Sequence, residues 1–202
     1  MGTLAFVFSS GWASGLNCYL VVLVLGIADR VHDTEQVPNV LARWDVLAVA
    51  GFLYAMEFVA DKIPYIDSAW DAISTVIRPT VGAILAALLS GEAGTLQQAL
   101  IATTGGVVAL LSHAVKSSLR LAINTSPEPV TNIAASSGED VAVAGVVSLA
   151  AFHPEVALVI AGVLLVLGLV AVYFGFRFIR RGYARFKAWR DKRSPLTGSS
   201  AV

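Results

Sequence analysis

A chain of 202 residues that is 56% hydrophobic and only 14% charged is too apolar for an ordinary water-soluble domain. A single cysteine, Cys18, excludes an intramolecular disulfide and any cysteine-based metal motif, and reads as a small core hydrophobe. The net charge is zero, yet eight of the 14 cations (Arg177, Arg180, Arg181, Arg185, Lys187, Arg190, Lys192 and Arg193) follow residue 176 against Asp191 alone, which predicts a cytoplasmic C-terminus and anionic lipid, rather than nucleic acid, as the partner of that segment.

Six apolar stretches stand out, at about 3–28, 45–60, 79–91, 97–115, 139–152 and 155–177, against roughly 20 residues for a helix that crosses a bilayer. The first opens on Phe6, Val7 and Phe8 with no cationic start before it and no Ala-x-Ala cleavage pattern after it. It therefore reads as a retained span rather than a removable signal. Ser9-Ser10-Gly11, Ser14-Gly15 and Asn17 interrupt it, marking a break or a close helix contact. Ser10, Ser14 and Asn17 share one face.

A solvated loop is expected over Asp29 to Trp44. In the second stretch Glu57 and Asp61 lie four apart, on one helical face, and Pro64 should stop that helix. The third and fifth stretches are too short to span alone and should extend back into the polar runs before them. In the first of those runs Asp67, Asp71, Ser74 and Arg78 project within roughly 60° of one another on a helix. That stripe is either a polar seam inside the membrane or one face of a helix lying on its surface.

The fourth stretch ends in His113, Lys116, Ser117 and Arg120, with Gly106 on the same face. These groups await an anionic partner or snorkel to lipid phosphate. In the next run Ser126-Pro127 fits a helix start with Glu128 in its first turn. Glu128, Asn132, Ser136 and Glu139 then line one face, beside Asp140. The sixth stretch runs on as a cationic amphipathic helix through Tyr183, Phe186 and Trp189 and ends in a disordered tail.

The expected organisation is all-α: a helical membrane domain over 1–177 with about six transmembrane or partly re-entrant helices, a cytoplasmic basic helix over 178–193 and a tail over 194–202. An even number of crossings would put both termini inside. Ser14 to Leu20 and Leu110 to Lys116 lie at comparable depth in the two halves, which suggests a 3+3 inverted repeat; a competing register pairs the two polar runs. A charge at mid-membrane costs about 2.5–3.5 kcal/mol even on a lenient insertion scale, so the basic stripe is expected to meet the acidic ones. The candidate substrate or ion site comprises Asn17, Glu57, Asp61, Asp67, Asp71, Arg78, His113, Lys116, Arg120, Glu128, Asn132, Glu139 and Asp140. Glu57, Asp61, Asp71, Glu139 and Asp140 are the candidate metal ligands.

Ser14-Gly15-Leu16-Asn17-Cys18-Tyr19, Glu57-Phe58-Val59-Ala60-Asp61-Lys62-Ile63-Pro64, Asp67-Ser68-Ala69-Trp70-Asp71, Arg78-Pro79 and Asn124-Thr125-Ser126-Pro127-Glu128-Pro129 together resemble a bacterial integral membrane family known as domain of unknown function 4126. The resemblance covers about residues 5–160 and implies a small multi-pass inner-membrane protein with no assigned activity. A looser similarity is to the Glu-x-Gly-Asp-Lys motif of cation and proton exchangers. Here Glu57 and Asp61-Lys62 are one residue further apart and the glycine is absent.

The leading expectation is a transporter or channel for a small ion or polar solute, cation or proton coupled, using intramembrane carboxylates. A flippase or enzyme acting on a polyprenyl-phosphate-like lipid is the alternative, with Arg78, His113, Lys116 and Arg120 on the phosphate. A membrane assembly scaffold, or a homo-oligomer, is the third. The sequence has no nucleophile elbow, phosphate-binding glycine loop or zinc spacing among His32, His113 and His153, so an enzyme is the weaker expectation. A bound cation or lipid is the natural cofactor.

Overall fold

The computed structural model describes residues 2–34, 36–63, 65–91, 93–125 and 129–193. Pro64, the Ser126-Pro127 helix start, Glu128 and the tail from 194 onward lie outside them. Among the described residues the chain is six helices and no strand: α1 (Gly2–His32), α2 (Trp44–Ala60), α3 (Ile66–Leu89), α4 (Thr95–Ile123), α5 (Pro129–Phe152) and α6 (Pro154–Arg193). As expected from their short apolar stretches, α3 and α5 each reach back into the polar run before them. The short helix is instead α2, whose 17 residues extend about 25 Å, less than a bilayer core of about 30 Å.

Among the described residues, α1, α3, α4, α5 and α6 are long and apolar enough to cross a membrane. Length misleads for α1, because its two ends lie side by side. A Cβ on Gly2 would stand 3.8 Å from the Pro154 ring, and the rings of His32 and Phe152 meet edge to face with centroids 5.4 Å apart. A continuous helix of 31 residues would separate those ends by about 45 Å. The reversal is at Asn17, whose φ of −154° and ψ of 93° are extended rather than helical. The Asn17 side-chain oxygen accepts a hydrogen bond from the Leu20 backbone N–H at 3.0 Å, as an N-cap does. Thus α1 is two arms, before and after Asn17, that enter and leave at the same end of the bundle.

That end also carries the α3–α4 and α5–α6 turns. The opposite end carries the α2–α3 and α4–α5 connections, and α6 runs toward it. The first arm of α1 therefore starts at one end of the bundle and α6 finishes at the other, which corrects the expectation of both termini on one side. An inverted repeat would pair α1 with α4, and the two differ: α1 folds back, whereas α4 runs unbroken from Thr95 to Ile123.

Small residues let the first arm lie directly on α4. A Cβ at Gly15 would collide with the Ala109 carbonyl oxygen, and one at Gly11 would come within 2.9 Å of the Gly105 carbonyl oxygen. Phe6, Val7, Leu16, Val21 and Leu25 of α1 form the core with Leu85 and Ala86 of α3 and Val143 and Val147 of α5. Leucines, valines and phenylalanines such as Phe52, Val59, Val163 and Leu167 remain exposed on the outer faces of α2 and α6, the pattern of helices solvated by lipid. At the end of α6, Ile179 and Tyr183 project away from Arg177 and Arg181 at helical spacing, and both are exposed.

Candidate functional site

Each polar stripe turns inward, and the stripes meet. Asp67, Asp71, Ser74 and Arg78 of α3 are all buried, so this helix is a seam within the bundle and not one lying on the membrane surface. His113, Lys116 and Arg120 of α4 are buried too, which excludes snorkelling, while Ser117 is half-buried. Glu57 near the end of α2 and Asp61 just after it complete the inner wall, and Asn132, Ser136 and Glu139 of α5 close the other side.

Arg78 is the innermost cation. Its Nη2 donates to Glu57 Oε1 at 2.7 Å, and its Nη1 lies 3.2 Å from Asp71 Oδ1, within ion-pair reach but off line for a hydrogen bond. Nη1 also stands 2.9 Å from His113 Nδ1. A guanidinium can only donate, so Nδ1 accepts and the imidazole is neutral, with its hydrogen on Nε2 toward the Asp71 carbonyl at 3.1 Å and Thr75 Oγ1 at 3.0 Å.

Lys116 sits one turn outward, its Nζ 2.6 Å from Asp61 Oδ2 and 3.5 Å from both Glu57 Oε1 and Glu139 Oε2. Arg120 follows, donating to Glu139 Oε2 at 2.7 Å and to the Asp61 carbonyl at 2.9 Å. It also lies within 4.0 Å of Asp67 Oδ2. Asn124 holds both Asp67 oxygens, at 2.9 and 3.1 Å, and receives Asn132 Nδ2 at 3.1 Å.

The fold-back of α1 brings its tip into this network. Because the helix stops at Asn17, the carbonyls of Gly15 and Leu16 are free to accept from Arg78 Nη1 at 3.2 Å and Lys116 Nζ at 2.9 Å. A helix C-terminus carries partial negative charge, so it suits two cations. Asn17 Nδ2 donates to Asp140 Oδ1 at 3.1 Å, with Tyr54 Oη 3.5 Å from the other oxygen. Lys62, between α2 and α3, donates to Ser136 Oγ at 3.3 Å, and its partial burial lowers its pKa.

All candidates among the described residues thus fall in one connected cluster. Tyr54, Thr75 and Asn124 belong to it as well and were missed. Each had a signal: Asn124 continues the 113, 116, 120 stripe by four, Thr75 follows Asp71 by four and Tyr54 precedes Glu57 by three. Among the described residues, no three His, Cys, Asp or Glu groups stand together as metal ligands; the carboxylates converge on Arg and Lys instead.

Among the described residues the buried ion pairs join five carboxylates, Glu57, Asp61, Asp67, Asp71 and Glu139, to three cations, Arg78, Lys116 and Arg120. Glu57 Oε2, Asp61 Oδ1 and both Asp71 carboxylate oxygens are buried without a hydrogen-bond partner. An acid-rich cluster with unused oxygens is suited to taking up positive charge. From outside, a cleft of about 250 Å³ between α3 and α4, lined by Ser68, Asp71, Thr75 and Ser117, reaches Asp71. Glu139, 19% exposed, and the half-buried Asp140 form the other accessible edge.

Fold and site define a multi-pass helical membrane protein built around a buried, acid-rich charge network. A family model described as Domain of unknown function (DUF4126) matches residues 4–173, and the chain belongs to that family. No curated protein and no solved structure matches it.

Proposed function

We propose that the protein is a transporter or channel for a small cation, the proton included, that uses the buried carboxylates as its ion site. The excess of five carboxylates over three cations in one buried network is the observation that carries this reading. Intramembrane ionisable groups are expensive and mark ion or proton pathways. The broken α1 adds support, since helices interrupted within the membrane supply backbone carbonyls and opposed half-helix ends at transport sites.

Handling of a phosphorylated lipid is the weaker reading. Its phosphate would need free cations, and Arg78, Lys116 and Arg120 are each already engaged by carboxylates. The bacterial cytoplasmic membrane, with the basic end of α6 on the inner face against anionic lipid, is the setting we propose from the charge asymmetry of the chain.

Purified protein in proteoliposomes is expected to pass protons or monovalent cations, read with a pH-sensitive dye or by isotope uptake. Glu57→Gln and Asp61→Asn should each abolish that flux in protein that still elutes as a single folded species. Flux that both substitutions leave unchanged would contradict the assignment.

A further inference from the structure

Resting on that reading, we infer that the ion this network handles is the proton, and that two protons reside on it at neutral pH. Two observations bear on the choice between a proton and a metal ion. Lys116 Nζ stands within 3.5 Å of Glu57, Asp61 and Glu139, so an ammonium occupies the place where those three carboxylates could have shared a metal. Arg78 takes the same place between Glu57 and Asp71. A hard divalent ion prefers six or more oxygen ligands and tolerates no cation among them, whereas a proton needs only one carboxylate oxygen.

The charges around the network then set how many protons it holds. From α3 come Asp67, Asp71 and Arg78; from α4, His113, Lys116 and Arg120; from α5, Glu139 and Asp140; and from α2 and the residues after it, Glu57, Asp61 and Lys62. The tip of α1 adds the buried Cys18 thiol and the Gly15 and Leu16 carbonyls. His113 is neutral by its contact with Arg78, and Lys62 and Asp140, of opposite charge and in electrostatic reach of one another, stand at the outer edge. Among the described residues the five inner carboxylates therefore exceed the three inner cations by two. An uncompensated charge in such surroundings costs several kcal/mol, and two protons remove both.

Geometry also divides them. Arg78 is the cation that Glu57 and Asp71 share, at 2.7 and 3.2 Å, with Lys116 reaching Glu57 at 3.5 Å from its closer place beside Asp61; one carboxylate of that pair is left without a cation of its own, and Glu57 Oε2 and both Asp71 oxygens have no hydrogen-bond partner. The first proton belongs to this inner pair. Lys116 and Arg120 together serve Asp61, Glu139 and Asp67. Both Asp67 oxygens are already taken as acceptors, by the two Asn124 contacts and by the Ser68 backbone N–H at 2.6 Å. The second proton falls to Asp61 or Glu139, and Asp61 Oδ1 is free to hold it. Asp71 of the inner pair lines the α3–α4 cleft and Glu139 of the outer pair is the partly exposed edge, with Lys116 within 3.5 Å of Glu57, Asp61 and Glu139.

Infrared spectroscopy of the full chain in liposomes at neutral pH reads this directly, because a protonated carboxyl has a C=O stretch separate from that of a carboxylate and shifts in D2O. Exposed Asp and Glu are ionised at that pH and do not contribute. The wild-type protein is expected to show such a band, and Glu57→Gln or Asp71→Asn to lose part of it while Asp61→Asn loses another part. A wild-type spectrum with no protonated-carboxyl band overturns the inference without recourse to any variant. Sodium or potassium flux from a protein lacking the band would leave the transport reading standing and remove this one. A band in a protein that passes no ion would keep the two protons and remove the transport.

Discussion

Arg78, Lys116 and Arg120 owe their burial to carboxylates 2.6–4.0 Å away in space but 7 to 59 residues away along the chain. Such pairs repay their desolvation only as a set, and removing one member strands the rest. Lys116→Met keeps the volume and removes the ammonium that Glu57, Asp61 and Glu139 share. It is expected to destabilise the protein by about 3–5 kcal/mol, read as a lower midpoint of thermal or denaturant unfolding in detergent. A midpoint equal to that of the wild type would mean that the network does not depend on this charge. At this scale the sequence was informative about membership and silent about pairing. Spacings of three and four put Asp67, Asp71 and Arg78 on one face and His113, Lys116 and Arg120 on another, because helical periodicity is local. Nothing in the spacing says that Arg78 takes Glu57 while Lys116 takes Asp61.

Among the elements, α1 was the hardest to foresee. Ser14-Gly15 and Asn17 announced an interruption, but both arms are apolar, so hydropathy counts one long span. The reversal depends on a single extended residue and its cap, and on the small residues Gly11 and Gly15 that let the first arm lie on α4. Asn17→Ala removes the bond to the Leu20 N–H and the one to Asp140. Loss of such a cap costs about 0.5–2 kcal/mol, expected as a modest fall in the unfolding midpoint. A more stable variant would argue that the second arm needs no cap. By contrast the extension of α3 and α5 into polar sequence was legible, since apolar runs that short cannot span a bilayer and the flanking residues keep helical spacing.

For the molecule as a whole, composition was enough to identify a helical membrane protein, and charge asymmetry to single out the end of α6. The order of crossings was not legible, because parity turns on whether one apolar stretch crosses or returns. The position of the Gly15 and Leu16 carbonyls in the charge network, and with it the whole site, rests on that return. Single cysteines in a Cys18→Ala background, labelled with a membrane-impermeant maleimide in sealed vesicles of known orientation, decide it. Thr3 at the start of α1, Asn39 in the α1–α2 connection and Thr125 in the α4–α5 connection are all exposed and suit replacement. A folded-back α1 predicts that Thr3→Cys and Asn39→Cys are labelled from one side and Thr125→Cys from the other; labelling of Thr3→Cys and Asn39→Cys from opposite sides would contradict it.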